Sequence, residues 1–287
     1  MRVANLDHLG IVAGIIDELG IAEEINRRIG RSSREKVSAG VIVKAMILNG
    51  LGFVSAPLYM FSKFFEGKAT EHLLGTGITS EQINDDRIGG VLDDLHESGL
   101  NETFLGISLK ALEKHEVKVE TGHLDSTSFH VHGEYGKQEE GSIEITYGYS
   151  RDHRPDLKQF MMNLICLGDG DIPVMMEVVS GNQADKARFA GLLQEFKEQW
   201  TFEGICVADA ALYSEENLVT MSGLKWLTRV PLSLKAAGQL VETTSGLQAS
   251  KLRGYATAES VSEYGGVSQR WILVESQERR KSDIKKL

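Results

Sequence analysis

The sequence predicts an α+β chain in which a helical N-terminal domain precedes an α/β core. Three observations predict it. Apolar residues recur at three- and four-residue steps up to about residue 115, the spacing of one helix face. From residue 117 onward the pattern becomes strand-like, with β-branched apolar runs separated by glycine-containing turns. Two of those runs, Val117 to Leu124 and Gly204 to Ala208, each stop at an aspartate, Asp125 and Asp209.

In the first region, residues 1–116, Leu9, Val12, Ile15, Ile16, Leu19 and Ile25 mark one helical face. Ser38 precedes an apolar run ending at Asn49-Gly50, so Ser38 is the expected cap and Gly50 the expected stop. Helical stretches follow from about Pro57 to Phe65, Asp85 to Glu97 and Asn101 to His115. Short helices joined by glycine-containing turns are compatible with a helix-turn-helix that binds DNA, and equally with a bundle whose surface is merely polar.

In the second region, residues 117–230, Lys158 to Leu167 reads as a strand, Gly168-Asp169-Gly170-Asp171 as a turn and Ile172 to Val179 as its partner. Asp185 to Trp200 is an amphipathic helix with Phe189, Leu192, Leu193 and Phe196 on one side. The Asp209 strand, a helix from about Ser214 to Met221 and a strand from Leu224 to Val230 complete it. Strand, hairpin, helix, strand, helix, strand is the order of a ribonuclease-H-like α/β domain, in which Asp125 and Asp209 would end adjacent central strands. Residues 231–287 begin a different region: Thr243-Thr244-Ser245-Gly246 is loop-like and Ser268 to Glu275 a strand. The charged tail from Glu278 is expected to stop without a finished element.

Composition narrows the function. With 287 residues, 41% hydrophobic and 25% charged, the chain is an ordinary globular protein long enough for two domains. It has no run long enough for a membrane span and no secretion-signal pattern at Met1 to Asp7, so the expected location is cytoplasmic. Cys166 and Cys206 sit singly in apolar runs and read as buried thiols in a reducing compartment. A net charge of −10 argues against a protein that simply coats nucleic acid, because phosphate contacts need Lys and Arg; local basic segments still permit a DNA enzyme.

The aspartates carry the chemistry. On neighbouring strands the two carboxylates could share a divalent metal, and oxygen-only ligation suits Mg²⁺ or Mn²⁺. The bland alternative is that both are turn or cap residues. Gly148-Tyr-Ser-Arg-Asp-His-Arg-Pro-Asp-Leu-Lys-Gln159 concentrates Arg151, Arg154 and Lys158, which could hold a phosphodiester backbone or could pair with the intervening aspartates. His130 and His132 alternate on a strand, yet without cysteine ligands a zinc site is disfavoured; His123 and His153 read as polar lining. Gly181-Asn-Gln-Ala-Asp185 reads as a loop-to-helix turn. An aspartyl-phosphate enzyme built on Asp125 would want Asp-x-Asp, and position 127 is Thr.

Several segments together resemble the DDE transposases of bacterial insertion sequences, with the nearest likeness to the insertion-sequence-1634 family. They are His123-Leu-Asp-Ser-Thr-Ser-Phe-His130, the Gly148–Gln159 run, Gly181–Asp185 and Val207-Ala-Asp-Ala-Ala-Leu-Tyr-Ser214. Thr228-Arg-Val-Pro231, Tyr264 to Trp271 and Ile83-Asn-Asp-Asp-Arg87 add to it. The resemblance implies a two-metal Mg²⁺ or Mn²⁺ site, with Asp125 bridging both ions and Asp209 binding one. It also implies DNA partners (transposon terminal inverted repeats and target DNA) and assembly with itself or with full-length transposase. Family members carry a final glutamate on a helix beyond a β-rich insertion, in a Tyr-x-x-Arg-x-x-x-Glu signature. Here Tyr264, Arg270 and Glu275 have the wrong spacing and fall on a strand. The resemblance therefore implies a core incomplete at the C-terminus, a truncated and inactive chain. The alternative is a non-catalytic DNA-binding or regulatory fragment.

Overall fold

The structure, a computed structural model, describes residues 3–30, 35–136, 141–150, 153–168, 171–183 and 185–286. The chain forms two compact units: Met1–Lys118 with Ile172–Met176, and Val119–Asp171 with Glu177–Leu287.

The first unit is helical. The face running from Leu9 to Ile25 is divided between α1 (Leu9–Leu19) and α2 (Ile21–Ile29), because Gly20 adopts φ 66° and closes α1 in a left-handed cap. α3 (Ala39–Gly50) starts where the sequence placed it, but the Ser38 side chain makes no cap bond. Asn26 supplies that bond, accepting the Gly40 N–H at 2.8 Å. Gly40 is required there: a Cβ would lie 2.0 Å from the Ala22 carbonyl oxygen, so the backbones of α2 and α3 nearly touch. The Pro57–Phe65 stretch folds as a 3₁₀ turn (Leu58–Met60) followed by the short α4 (Phe61–Phe64). α5 (Thr70–Leu74), α6 (Asp85–Glu97) and α7 (Leu100–Lys114) complete the unit. Leu9, Ile25, Ile42, Leu48, Phe61, Phe65, Ile88 and Val91 are almost fully buried in one core.

The second unit is built on a five-stranded sheet in the order β3-β2-β1-β4-β5. Its strands are β1 (Thr121–Val131), β2 (Lys158–Leu167), β3 (Ile172–Ser180), β4 (Ile205–Ala208) and β5 (Trp226–Thr228). β1 pairs antiparallel with β2 and parallel with β4, and β4 pairs parallel with β5. α8 (Asp185–Gln199) buries Phe189, Leu192, Leu193 and Phe196, and the Phe196 ring meets Phe202 at 5.4 Å. α9 (Glu215–Thr220) is capped by Ser214, which accepts the Asn217 N–H.

One strand boundary differs from the sequence reading. β1 does not stop at Asp125; it runs on to Val131 because β2 continues to pair with it through Val131↔Lys158. The hydroxyl-rich Ser126-Thr127-Ser128 looks like a turn, but cross-strand pairing overrides that local preference. His132 accordingly lies just beyond the strand that carries His130.

The C-terminal region also departs from expectation. α10 (Lys235–Thr243) precedes a second sheet of three strands in the order β6-β7-β8: β6 (Gln248–Ala249), β7 (Tyr255–Tyr264) and β8 (Val267–Ser276). The tail is a finished element, α11 (Gln277–Ile284), because Ser276 caps it and an Arg279–Asp283 pair one turn apart supports it. Among the described residues no helix is long and apolar enough to cross a membrane.

Candidate functional site

β1 is the central strand, and its neighbour β4 is short. The last parallel pair between them is Leu124↔Ala208. Both residues are buried, so the next residue on each strand, Asp125 and Asp209, projects from the opposite face. Asp209 keeps an extended backbone (φ −73°, ψ −177°), which preserves that alternation. Both aspartates are exposed. Asp125 and Asp209 are thus the residues that follow the last parallel pair, on and just beyond neighbouring strands.

Local bonds hold each carboxylate. Asp125 Oδ1 accepts the Ser126 N–H at 2.8 Å. Asp209 Oδ1 accepts the Ala211 N–H at 2.8 Å and heads the 3₁₀ turn Ala210–Leu212. The Asp209 carbonyl accepts the Thr228 hydroxyl at 2.6 Å, which ties β5 to the same point. The cap role is thus real for Asp209, and it fixes the backbone through Oδ1. On the exposed face of β1, His123 and Thr127 flank Asp125, and the Phe129 and Phe160 rings stack at 5.2 Å. His123 Nε2 lies 3.1 Å from the Thr121 hydroxyl.

Behind Asp125, on the covered face, runs a polar chain that the sequence reading missed. Ser126 and Asn163 are cross-strand partners and are 3% and 2% exposed. Asn163 Nδ2 donates to Glu177 Oε2 at 3.1 Å, and Arg188 Nε donates to Glu177 Oε1 at 2.7 Å. Arg188 also forks onto Glu195 with two bonds of 2.7 Å. The signal was present: β2 alternates, and two of its inward positions, Gln159 and Asn163, are amides. A buried amide needs a partner, so each marks a specific polar contact.

The described cations of the basic segment are engaged by protein acceptors. Arg154 forks onto Asp156 at 2.9 and 2.7 Å, and this bond holds the Asp156 carboxyl down at about 2. Lys158 Nζ donates to the Glu134 and Tyr135 carbonyls. Arg151 lies outside the described residues. Glu275 sits on β8, where it pairs with Arg280 at 3.0 Å. Among the described residues no group of three or more His, Cys, Asp or Glu gathers as a metal site. A cavity of about 240 Å³ opens between β5, α10 and β8; Thr228, Trp226 and Trp271 are among its walls.

Comparison with known proteins follows these boundaries. A model described as "Domain of unknown function (DUF4277)" matches residues 1–109. No curated protein matches the chain. Solved structures with detectable similarity include a Mos1 transposase paired-end complex with left transposon end (10% identity, 69% of this chain and 60% of that one, TM-score 0.27). A Mos1 strand transfer complex shows 11% identity over 74% of this chain and 66% of that one, with a TM-score of 0.26. A Mos1 mariner paired-end complex with Mn shows 13% identity over 80% and 78%, with a TM-score of 0.25. The chain spans less than two thirds of the length of the first two. The model described as "Transposase DDE domain" matches residues 120–280, more than half of the chain and all of the strands described above. The chain therefore belongs to the transposase DDE domain family.

Proposed function

We propose that the chain is a DNA transposase of the DDE type, with Asp125 and Asp209 as the carboxylates that hold Mg²⁺ or Mn²⁺ at a phosphodiester. One observation supports the reading: the register Leu124↔Ala208, the pair immediately before the two exposed aspartates. Two hard oxygen donors on rigid backbone suit such an ion. When bound, a divalent ion supplies an activated water and balances charge on the transferring phosphate. The chain's own part is to hold the acids still. Asp125 rides the sheet's central strand and is braced by the Ser126 N–H; Asp209 is fixed by Ala211 and Thr228. The sheet order, with β2 antiparallel to β1 on one side and β4 and β5 parallel on the other, supports the ribonuclease-H-like reading of the core. In this reading residues 1–116 contribute DNA binding, 117–230 form the core and 231–287 begin a β-rich insertion. The partners are transposon ends, target DNA and a second transposase chain.

The test is Mn²⁺ binding to the full chain, followed by electron paramagnetic resonance. The wild type should bind, and Asp125→Asn and Asp209→Asn should each weaken binding at least tenfold. Unchanged binding in either variant would remove that residue from the site. Because the described residues add no third ligand to the pair, the reading ranks DNA binding ahead of strand transfer for this chain. Mg²⁺-dependent cleavage that Asp125→Ala and Asp209→Ala abolish would reverse that order. Absence of any gel shift with duplex DNA would count against the binding role.

A further inference from the structure

We infer that Gln159 is a positioning residue that ties Tyr149 to Gly181 and so presents Arg154 and Lys158 to the DNA backbone; the inference rests on the nucleic-acid reading above. The two sequence runs left unexplained by the aspartate pair meet at one point. Gly148 opens the first run and Gln159 closes it, while Gly181 opens the second. Gln159 is 1% exposed, and its Nε2 donates to the Gly181 carbonyl at 2.7 Å and reaches the Tyr149 carbonyl at 3.4 Å.

The knot is too tight for any other residue at the glycines. A Cβ on Gly148 would lie 1.9 Å from Gly181 O and 2.5 Å from Gln159 Nε2, and one on Gly181 would lie 2.0 Å from Gln159 O. Backbone bonds sew the same place from both sides. Thr146 and Gln159 exchange N–H donors at 3.2 and 2.9 Å, and Gly181 N donates to Glu144 O at 2.9 Å.

The effect is to pin Tyr149 beside Ser150. Ser150 Oγ accepts the Arg154 N–H at 2.7 Å and meets His130 Nε2 at 3.1 Å. Lys158 is anchored on the Tyr135 carbonyl at 2.8 Å. Arg154 is held outward by Asp156, through an exposed ion pair. A phosphate can take over such a fork, because exposed pairs contribute little and Arg binds phosphate in a bidentate manner. A buried amide is a costly way to fill space in a strand that also buries Met161, Ile165 and Leu167, more so since, unlike Asn163, Gln159 has a buried side-chain oxygen, Oε1, without a hydrogen-bond partner. Its donors, rather than its volume, explain its presence.

The experiment uses the full chain and a short fluorescein-labelled DNA duplex of arbitrary sequence, with anisotropy measured across a salt series. Gln159→Met keeps the volume and removes both donors. It should bind roughly tenfold more weakly, with a log–log salt slope shallower by about one, the signature of one lost phosphate contact. Mn²⁺ binding at the aspartates should be unchanged. Ser150→Ala, which removes the acceptor of the Arg154 N–H without touching the knot, should move the slope in the same direction. The inference is overturned if Gln159→Met folds, by circular dichroism, and keeps the wild-type affinity and slope. It is equally overturned if Gln159→Met fails to fold and Ser150→Ala leaves the slope unchanged. A wild-type chain that binds no duplex would sink the nucleic-acid reading itself, before any variant is compared.

Discussion

Glu24→Gln should cost the helical unit stability in a way that depends on pH. Glu24 lies on α2 with its side chain 1% exposed, and it is met by Arg27, by Arg28 at 2.9 Å and by Lys110 at 2.7 Å. Hydrogen bonding from Arg27 is the largest influence and outweighs the opposing effect of burial, with Lys110 and Arg28 adding to it; the carboxyl is held at about 2. Against the ordinary 4.5, that gap corresponds to roughly 3 kcal/mol of folding free energy at neutral pH. The sign follows from the direction. A carboxyl whose pKa falls on folding stabilises the native state above its unfolded value, and the contribution fades as pH drops from 4.5 towards 2. The substituted amide keeps the shape but loses the charge, leaving Arg28 and Lys110 without their counter-ion. Hydrogen exchange read by mass spectrometry on peptides from α2 and α7 isolates this unit from the rest of the chain. Protection should fall by about two decades at neutral pH, with the gap to wild type closing in acid. A gap that stays constant across that range would refute the electrostatic account.

Other consequences can be checked with less effort. Asn163→Leu should fold, since the flanking inward positions of β2, Met161 and Ile165, are apolar, but it strands Glu177 Oε2. Mn²⁺ affinity should drop several-fold through displacement of β1, and an unchanged affinity would show that the polar chain behind Asp125 is purely structural. Gly40→Ala should destabilise the helical unit by about 2 kcal/mol or more, because backbone must move to admit the Cβ; thermal unfolding measures it. Burial pushes the Cys206 thiol up to about 11, so in the native chain it should resist a thiol reagent at neutral pH and react only on unfolding.

What the sequence revealed, and what it hid, divides along a physical line. Strands and helices whose pattern is set by burial were legible. β2 alternates over its whole length, α8 carries four core side chains on one stripe, and α6 begins at a capping Asn84. Boundaries set by partners were not. Asp125 reads as a strand end because the apolar run stops there and the hydroxyl-rich Ser126-Thr127-Ser128 follows, yet β2 continues beside it. α11 hides in a charged tail because its support is a cap and an ion pair rather than an apolar face. β7 shows mostly polar residues, since it packs in a sheet with little burial.

That the two aspartates follow residues on neighbouring strands was legible for a different reason. Each acid follows an apolar run, but the stronger constraint is that both runs end in the same register: Leu124 and Ala208 are partners, and one further step on each strand reaches Asp. A slip of one residue in β4 would send Asp209 to the opposite, covered face, because side chains alternate along a strand. Cys206 and Ala208 on the buried face, with Gly122 and Leu124 opposite them, leave no room for that slip. If the two acids form the proposed site, the packing that fixes β4 also sets their spacing, so a substitution such as Ala208→Leu should disturb metal binding without touching either acid. If Ala208→Leu folds and binds Mn²⁺ like the wild type, the strand register is not what brings the acids together.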